Sequence, residues 1–202
     1  MEQLSFFKEE GQTPGLPKSL LDYQPEVFSN QESNIILKNL IVETPWEQRV
    51  VKMYDKEVLT PRLTAWYANA GTYDYTSFRN SPPNSWTPQL LMIKARIEQL
   101  TGTSFNSVLL NYYRDGNDSV AWHSDNEKAL GTHPVIASVS FGQVRLFDIR
   151  NKSNHYEKYS IRLESGALMV MKGDLQQNWE HRIAKSIKPM KARLNLTFRV
   201  VI

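Results

Sequence analysis

Apolar positions recur along this chain at two different periods. Over residues 88–100, Leu90, Ile93, Ile97 and Leu100 fall three or four apart and make one stripe of an α-helix. Thr87 suits the cap of that helix, Pro88 its first turn and Gly102 its end. Ser29 and Glu32 have capping-box spacing and predict an earlier helix through Ile36, Leu37 and Leu40. From Phe105 onward the period shortens to two, in short runs of Val, Ile, Phe and Tyr separated by turn residues. The runs predict strands over Ser107–Tyr113, Val120–His123, Val135–Phe141, Val144–Ile149, Tyr159–Leu163, Ala167–Met171 and Leu194–Val201. Strand-like sequence also covers Arg49–Tyr54, and a Trp- and Tyr-rich stretch runs from Pro61 to about Phe78. Residues 1–25, with Gly11, Pro14, Gly15, Pro17 and Pro25, read as an irregular arm. Helices followed by many short strands predict an α+β, mainly β fold, a β-sandwich or jelly roll with the helices packed outside it.

A length of 202 residues fits one domain, here residues 26–202, with the arm ahead of it. No apolar run approaches the roughly 20 residues of a membrane span, and the acidic start lacks a signal peptide's apolar stretch. The expected setting is therefore away from the membrane, in cytoplasm, or in a nucleus if the source is eukaryotic. The chain has no cysteine, so it has neither disulfides nor a zinc–thiolate site, and any metal must use His, Asp or Glu. The net charge of +3 is uneven: residues 182–202 carry six bases and no acid. That segment, with Arg145, Arg150 and Lys152, suits either a phosphate-bearing partner or plain solvated surface. No oligomer-forming stripe stands out, so a monomer is the default.

Trp122-His123-Ser124-Asp125 carries the first candidate chemistry. Residues two apart in an extended chain point to one side, so His123 and Asp125 can share a face of a metal. Adding one more histidine completes a facial triad of two His and one carboxylate with open positions. The third ligand must be His133, His155 or His181, and a jelly roll's habit of bringing a late strand end beside an early one favours His181. In the last predicted strand Leu194, Leu196, Phe198 and Val200 alternate with Arg193, Asn195, Thr197 and Arg199. Its polar face either meets water or, if buried, forms a receptor for a carboxylate, which the planar arginine fork suits. Asn111 and Tyr113 share a face of another strand and offer further hydrogen bonds.

Taken in order, N-x-Y at Asn111–Tyr113, H-x-D at His123–Asp125, a distant His181 and R-x-N-x-T-x-R at Arg193–Arg199 resemble the AlkB family of dioxygenases. The resemblance runs from about Pro61 to the end of the chain and implies a double-stranded β-helix. It implies that His123, Asp125 and His181 hold Fe(II). It implies that Arg193, assisted by Tyr113 and Asn111, takes the far carboxylate of 2-oxoglutarate, with Asn195, Thr197 and Arg199 nearer the metal. O2 would be the other co-substrate. The implied reaction is removal of methyl groups from N1-methyladenine or N3-methylcytosine, releasing formaldehyde, succinate and carbon dioxide.

The implied partner is methylated DNA, single- or double-stranded, with RNA as the other candidate. A base in a duplex must be flipped out to react. Tyr73-Asp74-Tyr75 resembles the family's aromatic lid, within a recognition segment of about residues 61–85 ahead of a core over 105–202. Trp66 stands at an upstream aromatic position, and Glu127 at an acidic position that contacts the base. Asn126 departs from the family, where many relatives carry a second acid, and this bears on substrate preference. Three readings compete: the same chemistry on RNA only, a protein or a lipid; a non-enzymatic jelly-roll binding module; and a cupin-like metal hydrolase that would not need 2-oxoglutarate.

Overall fold

The caps predicted for the helices form as hydrogen bonds in the structure, a computed structural model that describes residues 18–53, 56–72 and 82–202. Helix α1 spans Asn30–Glu43; Ser29 Oγ accepts from the Glu32 amide (3.2 Å) while Glu32 Oε2 accepts from the Ser29 amide (2.8 Å). Helix α2 spans Pro88–Thr101, capped by Thr87 and closed by Gly102 at φ +66°. Arg96 Nη2, midway along α2, reaches Glu32 Oε1 (2.9 Å) in the first turn of α1 and ties the two helices together.

The strands form two antiparallel sheets. β1 (Leu21–Gln24), β2 (Glu47–Met53), β3 (Lys56–Ala68), β4 (Ser107–Tyr113), β6 (Ile136–Gly142), β9 (Leu168–Met171) and β11 (Arg193–Arg199) make the larger, in the order β1-β9-β6-β11-β4-β3-β2. β5 (Val120–His123), β7 (Arg145–Asn151), β8 (Lys158–Leu163) and β10 (Trp179–Ile183) make the smaller, in the order β5-β10-β7-β8. A short helix α3 (Leu175–Asn178) leads into β10.

Alternation along the strands gives the larger sheet two buried faces. Leu110, Val139, Leu194, Leu196 and Phe198 pack against Ile36 and Leu40 of α1 and Ile93 and Ile97 of α2. Ile136, Met169 and Met171, on the opposite face, join Phe147, Ile149, Ile161 and Trp179 of the smaller sheet in a second core. β11 lies in the middle of the larger sheet, so both of its faces are covered. Arg193, Asn195 and Thr197 are 1%, 8% and 6% exposed. The polar face of this strand thus turns into the space between the sheets and away from water.

Three strands differ from the sequence pattern. Leu21–Gln24 lies within the expected irregular arm, yet it pairs in register with β9. Four residues are too few to show a period, and the open edge of β9 decides the matter. β3 carries residues 61–68 of the expected recognition segment into the larger sheet. Pro61 is accommodated because Thr60, Pro61 and Arg62 together face Arg49 alone, a bulge that needs no proline N–H. β10 was not among the predicted strands, although Trp179, His181 and Ile183 alternate inward. No helix among the described residues is long and apolar enough to cross a membrane.

Candidate active site

β5 and β10 are antiparallel neighbours with His123 directly opposite His181. The two rings lie 4.3 Å apart, centroid to centroid. Asp125 follows β5 by two residues and is buried, and one ligand atom from each of the three residues falls within 4.8 Å of the others. His123 Nδ1 lies 2.8 Å from the Ala121 carbonyl. A carbonyl only accepts, so Nδ1 carries the proton and Nε2, 3.8 Å from Asp125 Oδ1, presents a lone pair. His181 rests under the Phe147 ring at 4.9 Å, and its Nδ1 is buried with no hydrogen-bond partner among the described residues.

The electrostatics suit cation binding. Burial, reinforced by His123, pushes the His181 imidazole down to about 3, so it is neutral at ordinary pH. Burial pushes the Asp125 carboxyl up, but Arg199 and the two imidazoles outweigh it and hold it at about 2. Arg199 Nη2 sits 2.9 Å from Asp125 Oδ1, so it grips the triad carboxylate itself and links β11 to the smaller sheet. One ionised carboxylate beside two imidazoles is the donor set of a facial triad.

Arg193 occupies the other end of β11. Its Nη2 donates to Ser140 Oγ (2.9 Å), and Nε and Nη1 are buried without a partner among the described residues. Its guanidinium lies 5.1 Å from the centroid of the Tyr113 ring. Burial pulls the group down to about 10, which still leaves it charged at neutral pH. A buried cation with two unmet N–H donors fits a carboxylate. Between the two arginines the polar row is satisfied internally: Thr197 Oγ1 donates to Asn195 Oδ1, and Asn195 Nδ2 donates to Ser138 Oγ. Asn111 Oδ1 accepts from Arg62 Nε (2.8 Å).

Ser138, Ser140 and Arg62 were not singled out in the sequence. The signal was present for the serines, which alternate with Ala137, Val139 and Phe141, and register places Ser140 opposite Asn195. Trp66 is 6% exposed and lies opposite Leu109, with its Nε1 donating to Ser107 Oγ (2.8 Å). It shares the inward polar face of β3 with Thr64, opposite Asn111. Glu127 is half-buried, and its Oε2 is enclosed with no partner among the described residues. Tyr73 and Tyr75 lie outside the described residues.

Other candidates are placed elsewhere. His133 pairs with Asp174 (2.9 Å) and His155 approaches Glu180 (3.8 Å), both apart from the triad. Arg145 does not reach solvent phosphates: it is 3% exposed and donates to the carbonyls of Asp115, Asp118 and Ala184. Arg150 pairs with Glu180, and Lys152 Nζ caps the carbonyls of Gln176 and Gln177.

Residues 21–199 match the 2OG-Fe(II) oxygenase superfamily. Among named relatives, the human DNA oxidative demethylase ALKBH2 is 36% identical over 187 residues, covering 87% of this chain and 71% of that protein. The chain belongs to the AlkB family.

The alpha-ketoglutarate-dependent dioxygenase alkB homolog 3 of Rattus norvegicus is 43% identical over 185 residues, covering 88% of this chain. The chain spans 62% of the length of that relative. A solved structure of OsALKBH1 aligns over 92% of this chain with a TM-score of 0.64 at 13% identity, so the two share a fold. AlkB-family enzymes work with Fe(II), 2-oxoglutarate and O2, and the residues present here fit them. The neutral, unpartnered His181 and the ionised Asp125 suit the metal, and the two unmet donors of Arg193 suit the co-substrate's carboxylate.

Proposed function

We propose that this chain oxidatively demethylates N1-methyladenine and N3-methylcytosine in DNA, and in RNA as a second substrate. The observation that carries the reading is the pairing of two binding ends on one buried strand. Arg199 of β11 engages a His-Asp-His triad, and Arg193 of the same strand presents unmet donors. A fold with no anion to bind here has no use for a buried cation held without a counter-charge, because its burial costs stability.

Fe(II), 2-oxoglutarate and O2 supply an oxidation that converts a methyl group on a base nitrogen into one that leaves as formaldehyde. His123, Asp125 and His181 hold the metal, while Arg199 keeps Asp125 ionised. Arg193 takes the far carboxylate of the co-substrate, and Tyr113 packs beside it. Asn111, Asn195 and Thr197 hold one wall of the pocket in place through Arg62 and Ser138.

The substrate half rests on fewer residues. Both lesions carry positive charge, and the enclosed, unpartnered Oε2 of Glu127 favours a cationic ring over the neutral base. Trp66 lines the same sheet face, and Tyr73 and Tyr75 would stack on the flipped base, each such contact contributing roughly 1–3 kcal/mol. The relatives named DNA oxidative demethylase support DNA as the first substrate. The chain acts as a monomer, in whichever compartment holds that nucleic acid.

Mass spectrometry of a short single-stranded DNA carrying one N1-methyladenine or N3-methylcytosine tests this. Loss of the methyl group that requires 2-oxoglutarate is the expected result. Turnover of 2-oxoglutarate to succinate with both lesions intact would keep the oxygenase and discard the substrate.

A further inference from the structure

The backbone N–H of Asp125 has no strand partner, because the pairing of β5 with β10 runs out at His123. It is enclosed in a residue only 4% exposed, where an unpaired amide is costly. Gln176 Oε1 accepts from it at 2.9 Å. Gln176 is itself 2% exposed, and its Nε2 donates to Met171 Sδ (3.5 Å). The amide can point only one way: reversed, its NH2 would face the Asp125 N–H, donor against donor.

The short helix bearing Gln176 is pinned at both ends. His133 meets Asp174 at its start, and Lys152 Nζ caps the Gln176 and Gln177 carbonyls (3.0 and 2.8 Å) at its finish. Ser124 Oγ adds a parallel tie, donating to the Trp179 carbonyl (2.8 Å) at the start of β10. The Trp122 ring is covered by the guanidinium groups of Arg150 (4.1 Å) and Arg182 (4.5 Å). The chain carrying two triad members is thus fixed to the strand carrying the third.

We infer that Gln176 is a positioning residue for the metal site: its amide oxygen holds the Asp125 main chain so that the carboxylate meets His123 and His181. The inference rests on the reading of that triad as a metal site. Gln176 touches no reacting group, and its effect passes through Asp125. Groups that orient metal ligands in this way typically change metal affinity about ten- to hundred-fold when removed.

The test is Mn(II) binding to the metal-free protein, read from the electron paramagnetic resonance of the free ion. Gln176→Met keeps the volume and removes the acceptor; Met171→Leu disturbs only the other end of the amide. Gln176→Met should bind Mn(II) about ten- to hundred-fold more weakly than wild type while still unfolding cooperatively in urea. Met171→Leu should bind as wild type does. Wild-type affinity in Gln176→Met would overturn the inference and leave the metal site standing. If wild type binds Mn(II) no better than His123→Ala, the metal reading falls and this inference with it. Should Gln176→Met fail to unfold cooperatively, Gln176→Asn, one methylene short of Asp125, replaces it, and wild-type affinity there overturns the inference equally.

Discussion

Replacing Arg193 with methionine should make the ligand-free protein more stable, not less. The guanidinium is 1% exposed, donates one hydrogen bond to Ser140 and leaves two nitrogens unmet. Burial brings it to about 10. That is more than a hundredfold loss of proton affinity, a cost of roughly 3 kcal/mol for keeping the charge. Neutral pH lies below both the folded and unfolded values, so the fold carries this whole cost there. Methionine removes it and forfeits the bond to Ser140, worth about 1 kcal/mol or somewhat more for a charged donor. The net expectation is a gain of about 1–2 kcal/mol, or a few degrees in Tm for a domain of this size. The assay is thermal unfolding of the Mn(II)-loaded protein without oxygen, with and without 2-oxoglutarate. At a hundred times its Kd, 2-oxoglutarate should stabilise wild type by about 2.7 kcal/mol and leave Arg193→Met unmoved. The order of stability therefore reverses on adding it. A variant that unfolds more readily than wild type, yet still responds to 2-oxoglutarate, would refute the reasoning and make Arg193 a structural cation.

Arg145→Met should act in the opposite direction: burial pulls this arginine down as well, but it donates to three backbone carbonyls that methionine would leave unmet, and urea unfolding should show a loss of about 1–3 kcal/mol. Little change would mean that water replaces the guanidinium among those carbonyls. Glu32 is held at about 2 by Arg96 and by its bonds to Ser29, below its ordinary 4.5. Its stabilising effect is full above the ordinary value and fades as pH falls through the folded one. The stability difference between wild type and Glu32→Gln, followed by urea unfolding from pH 6 downward, should therefore shrink toward pH 2; a constant difference would remove the linkage.

The contrast between Arg193 and Arg145 also shows what could be read from the sequence. The strand periods placed His123 and Asp125 on one side, and a jelly roll's habit of bringing a late strand end beside an early one, in agreement with the family's motif order, favoured His181 among three histidines. Those residues lie on or beside regular elements, where position in the chain predicts direction in space. Gln176 has no such signature: it lies on a single helical turn, and only the fold brings it to Asp125. β1 was hidden for the same reason, its pairing being set by the free edge of β9. Arg145 looked like surface charge because a basic side chain reads the same whether it meets water or a carbonyl 2.6–3.1 Å away.

β11 shows why alternation alone could not find the site. A strand with leucines on one side and Arg, Asn and Thr on the other has the pattern of an ordinary sheet surface. The pattern becomes a receptor only because the second sheet covers it, and that cover is supplied by Phe147, Ile149 and Ile161, distant in the chain. Once covered, a row that merely stabilised the fold would be expected to satisfy itself, as Thr197, Asn195 and Ser138 do. Arg193 departs from that rule at one end, and at the other Arg199 spends its charge on a carboxylate that two histidines share. The row is complete where it holds the wall and incomplete where the co-substrate would bind. That division, more than the presence of any one residue, separates a ligand site from a buried polar seam.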